Sequence, residues 1–228
     1  MFSILILKHF RALIICLSFL FYGCETIPNK PKTESIEETG KDDLVKKRIK
    51  GGDIIFHKSK STQSRLISKV TGSDYTHMGI LFYDNGKLYV YEAVGPVKST
   101  PFKEWVARGS GGRYVVKRLR EADRILTPDN LSRLKKAGLA YRGKPYDLMF
   151  RFSNEEIYCS ELVYKMYKDA LGISVGELGK FSDFDLSDPE VKNELKRRYK
   201  GEYSLTEPII SPESMFHSPL LETVEDNW

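Results

Sequence analysis

His77-Met78-Gly79-Ile80-Leu81-Phe82-Tyr83-Asp84-Asn85-Gly86-Lys87-Leu88-Tyr89-Val90-Tyr91-Glu92-Ala93-Val94 reads as two strands and the turn that joins them. Apolar and aromatic runs flank Asp84-Asn85-Gly86, and Asn-Gly is the pair that best tolerates the positive φ angles of a two-residue hairpin turn. Centring the turn on Asn85 and Gly86 sets Gly79 opposite Glu92. His77 then lies two residues further along the same sheet face, and diagonal neighbours of this kind are close enough for side chains to meet. Glu92 sits in the largely apolar run Tyr89 to Val94, where a glutamate without a partner is costly. An exposed strand carboxylate is the plain reading of Glu92, and a partner for His77 is the alternative.

Working outward, Gly51-Gly52-Asp53-Ile54-Ile55-Phe56 predicts a short strand after a glycine turn, with His57 at its end. His57 reads as a surface histidine at a strand end, with a place in a cleft as the alternative. Ser64 to Val70 predicts a short helix with Leu66, Ile67 and Val70 on one face and Gly72 as its stop. After the hairpin come an amphipathic piece around Phe102 to Val106 and a strand from Tyr114 to Leu119. Thr127-Pro128-Asp129 combines a cap residue, a first-turn proline and an acid near the dipole, so a helix runs from there to about Tyr141 and stops at Gly143. A further helix carries Cys159, Leu162, Val163, Met166 and Ala170 on one stripe and ends at Gly172. Residues 176–210 read as polar and irregular, and Ser211-Pro212-Glu213 as a last helix start. No repeat is visible. The fold class is α+β, a small antiparallel sheet packed against helices, with the cysteine at a helix N-terminus.

Residues 1–23 carry Lys8, Arg11, no acid and the apolar run 12–21, which is too short for a comfortable membrane span and fits a signal peptide. The run closes in Phe21-Tyr22-Gly23-Cys24, which resembles a bacterial lipobox, although Phe21 and Tyr22 are bulkier than usual there. Residues 24–49 then comprise a lipidated Cys24 and a tether too rich in Glu, Lys, Thr and Pro to fold. The domain spans residues 50–228. Cutting the first 23 of 228 residues leaves 205, enough for one domain with a substantial core. The same cut lowers the formal charge from +5 to +3 by removing Lys8 and Arg11. That balance makes no case for nucleic acid, since Lys46-Lys47-Arg48 and Lys196-Arg197-Arg198 have acids close by. The expected setting is the bacterial envelope, facing the periplasm or exterior, with the lipid as the membrane contact and the protein a monomer.

Three cysteines occur, Cys16, Cys24 and Cys159. With Cys16 in the signal and Cys24 lipidated, Cys159 is the one thiol left in the domain, and a single thiol cannot staple an exported fold. A small buried hydrophobe is the commonest fate of such a residue. A nucleophile is the alternative, and it needs a base to hold the thiolate and a group to orient the base. Of four histidines, His9 lies in the signal and His217 in the C-terminal tail, which leaves His57 and His77. The hairpin favours His77, with Glu92 as its acceptor. The start of a helix also lowers the pKa of a thiol. Ser160 and Glu161 read as capping and charging the first turn. No His/Cys/Asp cluster at ligand spacing is present, so neither metal nor other cofactor is implied.

Taken in order, Gly52-Asp53-Ile54-Ile55-Phe56, Thr76-His77-Met78-Gly79-Ile80, Tyr91-Glu92-Ala93-Val94 and Tyr158-Cys159-Ser160-Glu161-Leu162-Val163 resemble the permuted papain-like cysteine hydrolases of the NlpC superfamily, YiiX/YaeF-like branch. His77 precedes Cys159, the reverse of the ordinary order, which marks the permuted form. Gly143-Lys144-Pro145-Tyr146-Asp147 resembles the segment leading into the cysteine helix there. The resemblance covers about residues 50–172, with a weaker echo in Ser211-Pro212-Glu213. It implies Cys159 as nucleophile, His77 as general base and then acid, Glu92 as the orienting residue and Tyr146 as oxyanion donor. A Tyr146 that merely packs is the alternative, and Tyr158 competes for the donor role. The implied activity is cleavage of an amide or peptide bond through a thioester, with a cell-wall peptide as one substrate. Two rival readings stand beside it. One is an acyltransferase or phospholipase resembling the lecithin:retinol acyltransferase-like enzymes, which typically carry a second histidine where this chain has Glu92. The other is a non-catalytic envelope-binding module.

Overall fold

The hairpin forms with the register its turn predicts. In the computed structural model, which describes residues 48–200 and 202–228, β2 (His77–Asp84) and β3 (Lys87–Ala93) pair Ile80 with Tyr91 and Leu81 with Val90. Asn85 and Gly86 take φ of 47° and 73°, the left-handed pair of a type I′ turn. The segment expected to be a signal peptide, the expected lipidation site Cys24 and nearly all of the expected tether lie outside the described residues.

Around the hairpin a six-stranded antiparallel sheet assembles in the order β4-β3-β2-β1-β5-β8. Here β1 is Ile54–His57, β4 Val97–Pro101, β5 Val115–Leu119 and β8 Leu221–Asp226. Strands β4 and β8 are additions to the sequence reading. Both are edge strands with exposed polar residues such as Lys98 and Glu222, so neither shows a strong apolar alternation.

Strand alternation divides the burial between two faces. On one face Ile54, Phe56, Met78, Ile80, Tyr91 and Ala93 pack against α4 (Pro128–Leu139) and α5 (Cys159–Leu171). On the other, Ile55, Leu81, Val90 and Val116 enclose Trp105 of α2 (Phe102–Arg108). The predicted helix signals hold locally. Ser61 caps α1 (Thr62–Thr71), which therefore starts two residues before the expected Ser64, and Gly72 ends it at φ +65°. Thr127 caps α4 through its side chain, and Gly172 closes α5. A four-residue α3 (Ala122–Ile125) precedes α4.

Residues 176–210 are not irregular throughout. They contain β6 (Gly179–Lys180), α6 (Pro189–Tyr199) and β7 (Pro208–Ile209), followed by α7 (Pro212–Phe216). Asp188-Pro189-Glu190 repeats the cap, proline and acid signature of the other helices, and the Asp188 carboxylate accepts from the amides of Glu190 and Val191. The helix escapes a hydrophobicity reading because its apolar stripe is one residue wide: Val191, Leu195 and Tyr199 at four-residue spacing, with charge elsewhere.

Candidate active site

Helix α5 delivers Cys159 at its first position, 2% exposed, against the start of β2. Met78 points with the α5 face of the sheet and its amide bonds the sulfur. His77, one residue earlier, projects to the opposite face. Because it is the first residue of β2, its ring meets the sulfur around the strand end, and the imidazole and thiol are hydrogen-bonded. His77 Nε2 lies 2.6 Å from Glu92 Oε2, which leaves Nδ1 as the nitrogen that faces the sulfur.

Glu92 is fully buried and every lone-pair direction is used. Oε2 takes His77 Nε2 and, at 2.9 Å, Trp105 Nε1–H. Oε1 accepts from the Thr100 hydroxyl at 2.6 Å and from the Arg108 guanidinium. The exposed-carboxylate reading of Glu92 is thereby corrected: β3 lies inside the sheet, flanked by β2 and β4, and α2 covers that face. Burial pushes the Glu92 carboxyl up, but His77, Thr100 and Arg108 outweigh it and hold it below the ordinary value.

The same balance governs the pair it supports. Burial pushes His77 down, while its bonds to Cys159 and Glu92 carry it up to about 9. Burial likewise raises the Cys159 thiol, and the imidazolium, the Met78 amide and the Tyr146 hydroxyl overcome this and lower it. The two shifts run in opposite directions, the thiol down from its usual 9 and the imidazole up to about 9, and both favour a thiolate–imidazolium pair over the neutral pair.

Tyr146 is half-buried, and its hydroxyl is hydrogen-bonded to Cys159. Burial first, then the sulfur's charge, pushes its pKa well above 10, so it remains a protonated donor. Tyr158 does not compete for that position, since its hydroxyl accepts the Ile210 amide at 3.2 Å. Ser160 is also not the cap expected of it: its hydroxyl donates to the Ile210 carbonyl at 2.8 Å. Together the two clamp residue 210 beside the cysteine helix. Glu161 does accept from the Tyr158 amide, at 3.4 Å, and pairs with Lys165 at 2.7 Å.

His57 is 1% exposed, which corrects its surface reading. It pairs across β1–β2 with His77, and its ring stacks on Trp105 at 3.8 Å and 18°. Burial, followed by the charges of His77, Arg108 and Lys60, pushes it down to about 2, so it stays neutral beside a charged His77.

Sequence reasoning missed Thr100, Trp105 and Arg108. Trp105 left a usable signal, since a tryptophan on the buried face of a short helix needs an acceptor for its N–H. Gly79 was placed opposite Glu92 without its reason. A Cβ there would come within 2.5 Å of Val90 Cγ1, 2.7 Å of the Tyr91 carbonyl and 3.3 Å of Glu92 Cβ. Gly79→Ala is therefore expected to cost about 1–3 kcal/mol in urea unfolding and to slow alkylation of Cys159. A variant with wild-type stability and thiol reactivity would refute the packing argument.

Beside Cys159 lies a cavity of about 100 Å³. Leu66, Ile67 and Val70 of α1 form one wall, Val191 and Leu195 of α6 another, with Leu148 and Phe150 from the loop before α5. The walls are tied by polar contacts: Arg198 to Gln63 at 2.5 Å, Arg198 to the Leu148 carbonyl at 2.9 Å, and Lys69 to Asp188 at 2.9 Å. Among the described residues, no three His, Cys, Asp or Glu side chains gather to hold a metal ion.

A family model described as permuted papain-like amidase enzyme, YaeF/YiiX, C92 family, matches residues 48–225. The uncharacterized protein YiiX of Escherichia coli strain K12 is 46% identical over 177 residues, which span 78% of this chain and 86% of that protein. A crystal structure described as metalloprotein yiiX from Escherichia coli O157:H7 superposes with a TM-score of 0.75 at 46% identity, covering 79% of this chain and 99% of that one.

Proposed function

Because this chain belongs to the permuted papain-like amidases of the YaeF/YiiX type, we propose that it hydrolyses an amide whose acyl part is apolar, through a thioester on Cys159. The reading rests on the apolar cavity that Cys159 helps to line. The Cys159 thiolate attacks the carbonyl carbon, and the carbonyl oxygen becomes an oxyanion that accepts from the Tyr146 hydroxyl and from amides of the first turn of α5. The imidazolium of His77 gives its proton to the departing nitrogen, the C–N bond breaks, and an amine leaves. A water molecule, deprotonated by the now neutral His77, attacks the thioester. The acid departs and the thiolate–imidazolium pair returns. Glu92 keeps Nε2 of the imidazole protonated and Nδ1 turned to the sulfur throughout.

The cavity also bears on the substrate. An engineered apolar cavity of about 150 Å³ holds a benzene ring, so this one suits a few methylenes or one apolar side chain. Charged cell-wall stem peptides suit its walls poorly. A lipid on Cys24 would hold the domain at a bilayer surface in the envelope, where amides and esters of fatty acids are at hand. This favours the acyl-group alternative over a cell-wall peptide.

Acetyl, butyryl, hexanoyl and succinyl amides of one chromogenic amine test the reading. kcat/KM is expected to rise by roughly fourfold per methylene from acetyl until the cavity is full, as the transfer free energy of a methylene requires. Succinyl should fall below butyryl, and Ile67→Trp should flatten the series. Equal rates across the series, or a stem peptide cleaved better than any acyl amide, would remove the proposal.

A further inference from the structure

Arg108 is the one side chain of the Glu92 shell that brings a full positive charge in addition to that of His77. We propose that Arg108 is a positioning residue of the site, which offsets the charge of Glu92 and thereby sets the basicity of both His77 and Cys159. The geometry supplies the reason. The Arg108 guanidinium bonds Glu92 Oε1, the oxygen opposite the one that holds His77, and the Thr100 hydroxyl fixes that same oxygen at 2.6 Å. The cation is thus one carboxyl group away from the imidazole.

The groups against His77 are Cys159 from α5, Glu92 from β3 and His57 from β1, with Tyr146 bonded to the sulfur, Arg108 of α2 behind Glu92 and the Lys60 charge reaching His57. Tyr146 stays protonated and His57 stays neutral. In the working state, then, the charges bonded to one another are the thiolate, the imidazolium, the carboxylate and the guanidinium, two of each sign, with Lys60 further out beside His57. Without Arg108 the buried set carries one uncompensated negative charge. Such a charge disfavours the thiolate and favours the imidazolium, so the pKa of both groups rises. An imidazolium held more strongly gives its proton to the leaving amine more slowly, because a general acid works best with a pKa near the working pH. With Arg108 in place, Glu92 directs the imidazole while holding its proton less tightly than a bare carboxylate would.

The proposal predicts an upward move of both limbs of the pH profile. It is tested on the full domain by the pH dependence of iodoacetamide alkylation of Cys159, which needs no knowledge of the substrate, in wild type, Arg108→Gln, Arg108→Leu, Arg108→Lys and His77→Ala. The midpoint for thiolate formation is expected to move up by at most roughly one pH unit in the two uncharged variants, less than a fully buried charge would give, because the Arg108 side chain is 37% exposed and solvent screens part of its charge. Arg108→Lys should stay within a few tenths. In hydrolysis assays the alkaline limb should move up with it, with kcat lowered several-fold near neutral pH and KM unchanged. Two uncharged variants of different shape keep the test open if one of them folds poorly. Unmoved midpoints in the uncharged variants, or an Arg108→Lys shift as large as theirs, would overturn the proposal. A wild-type thiol whose alkylation ignores His77→Ala would overturn the thiolate–imidazolium reading as well, which separates the two failures.

Discussion

His77→Ala is expected to abolish hydrolysis, with a loss on the order of 10⁴-fold or more in kcat, because it removes both the base that makes the thiolate and the acid that releases the amine. The thiol itself supplies the sharper readout. Burial alone raises the Cys159 pKa, and the imidazolium is the first of the groups that reverse this. Alanine at 77 therefore leaves a buried thiol that is protonated at neutral pH, and alkylation by iodoacetamide should fall by about a hundredfold or more at pH 7. The pH profiles of the wild type carry the same information. On the acid side, hydrolysis and alkylation should rise together as the thiolate forms. On the alkaline side they should part. Above about 9 the imidazole loses its proton, so the leaving nitrogen has no acid and hydrolysis declines. The thiolate persists there, and alkylation does not decline. A His77→Ala protein that reacts with iodoacetamide at the wild-type rate would refute the assignment.

Glu92→Gln is the second change of large effect, and it works through stability as much as through rate. Four donors converge on the carboxylate: His77 Nε2 and Trp105 Nε1 on one oxygen, the Thr100 hydroxyl and Arg108 on the other. An amide has one accepting oxygen. Whichever way it is turned, its NH₂ group faces two groups that also donate, and the buried Trp105 N–H or the Arg108 cation is left without an acceptor. Breaking a buried charged network by removing one partner costs about 3–5 kcal/mol. For a domain of this size that corresponds to a fall in Tm of roughly 10 °C, measurable by calorimetry or by urea unfolding. The alkaline limb of hydrolysis should also move down from about 9, since the carboxylate's charge no longer favours the imidazolium. A loss of stability under about 1 kcal/mol with an unmoved limb would show that Glu92 is neither the anchor of this face nor the partner of His77.

These expectations depend on features of unequal visibility. Asn85-Gly86 and the period of two were enough to put Glu92 diagonal to His77, because a two-residue turn leaves one register and strand alternation leaves one face. The cysteine helix was legible from its apolar stripe and from Gly172. Strands β4 and β8 were hidden, since edge strands carry polar residues on their open side, and α6 was hidden by its narrow stripe. Their absence from the reading removed Thr100, and with it any view of how Glu92 is satisfied. His57 was misjudged for a related reason: nothing local says that a tryptophan about fifty residues later will lie flat against its ring.

The sequence by itself determined the local pieces: a hairpin of known register, a thiol at the first turn of a helix, an imidazole and a carboxylate on one sheet face, and the order that marks the permuted arrangement. Each follows from interactions within a few residues or across one tight turn. The tertiary structure alone decided which pieces touch. It carried the sulfur to the start of β2, brought Thr100, Trp105 and Arg108 onto Glu92, and turned Tyr158 and Ser160 away to Ile210. It also built the apolar cavity from α1, α6 and the loop before α5, segments more than a hundred residues apart in part. Contacts of that span depend on how whole faces pack, a property of the assembled core that no short window of sequence contains.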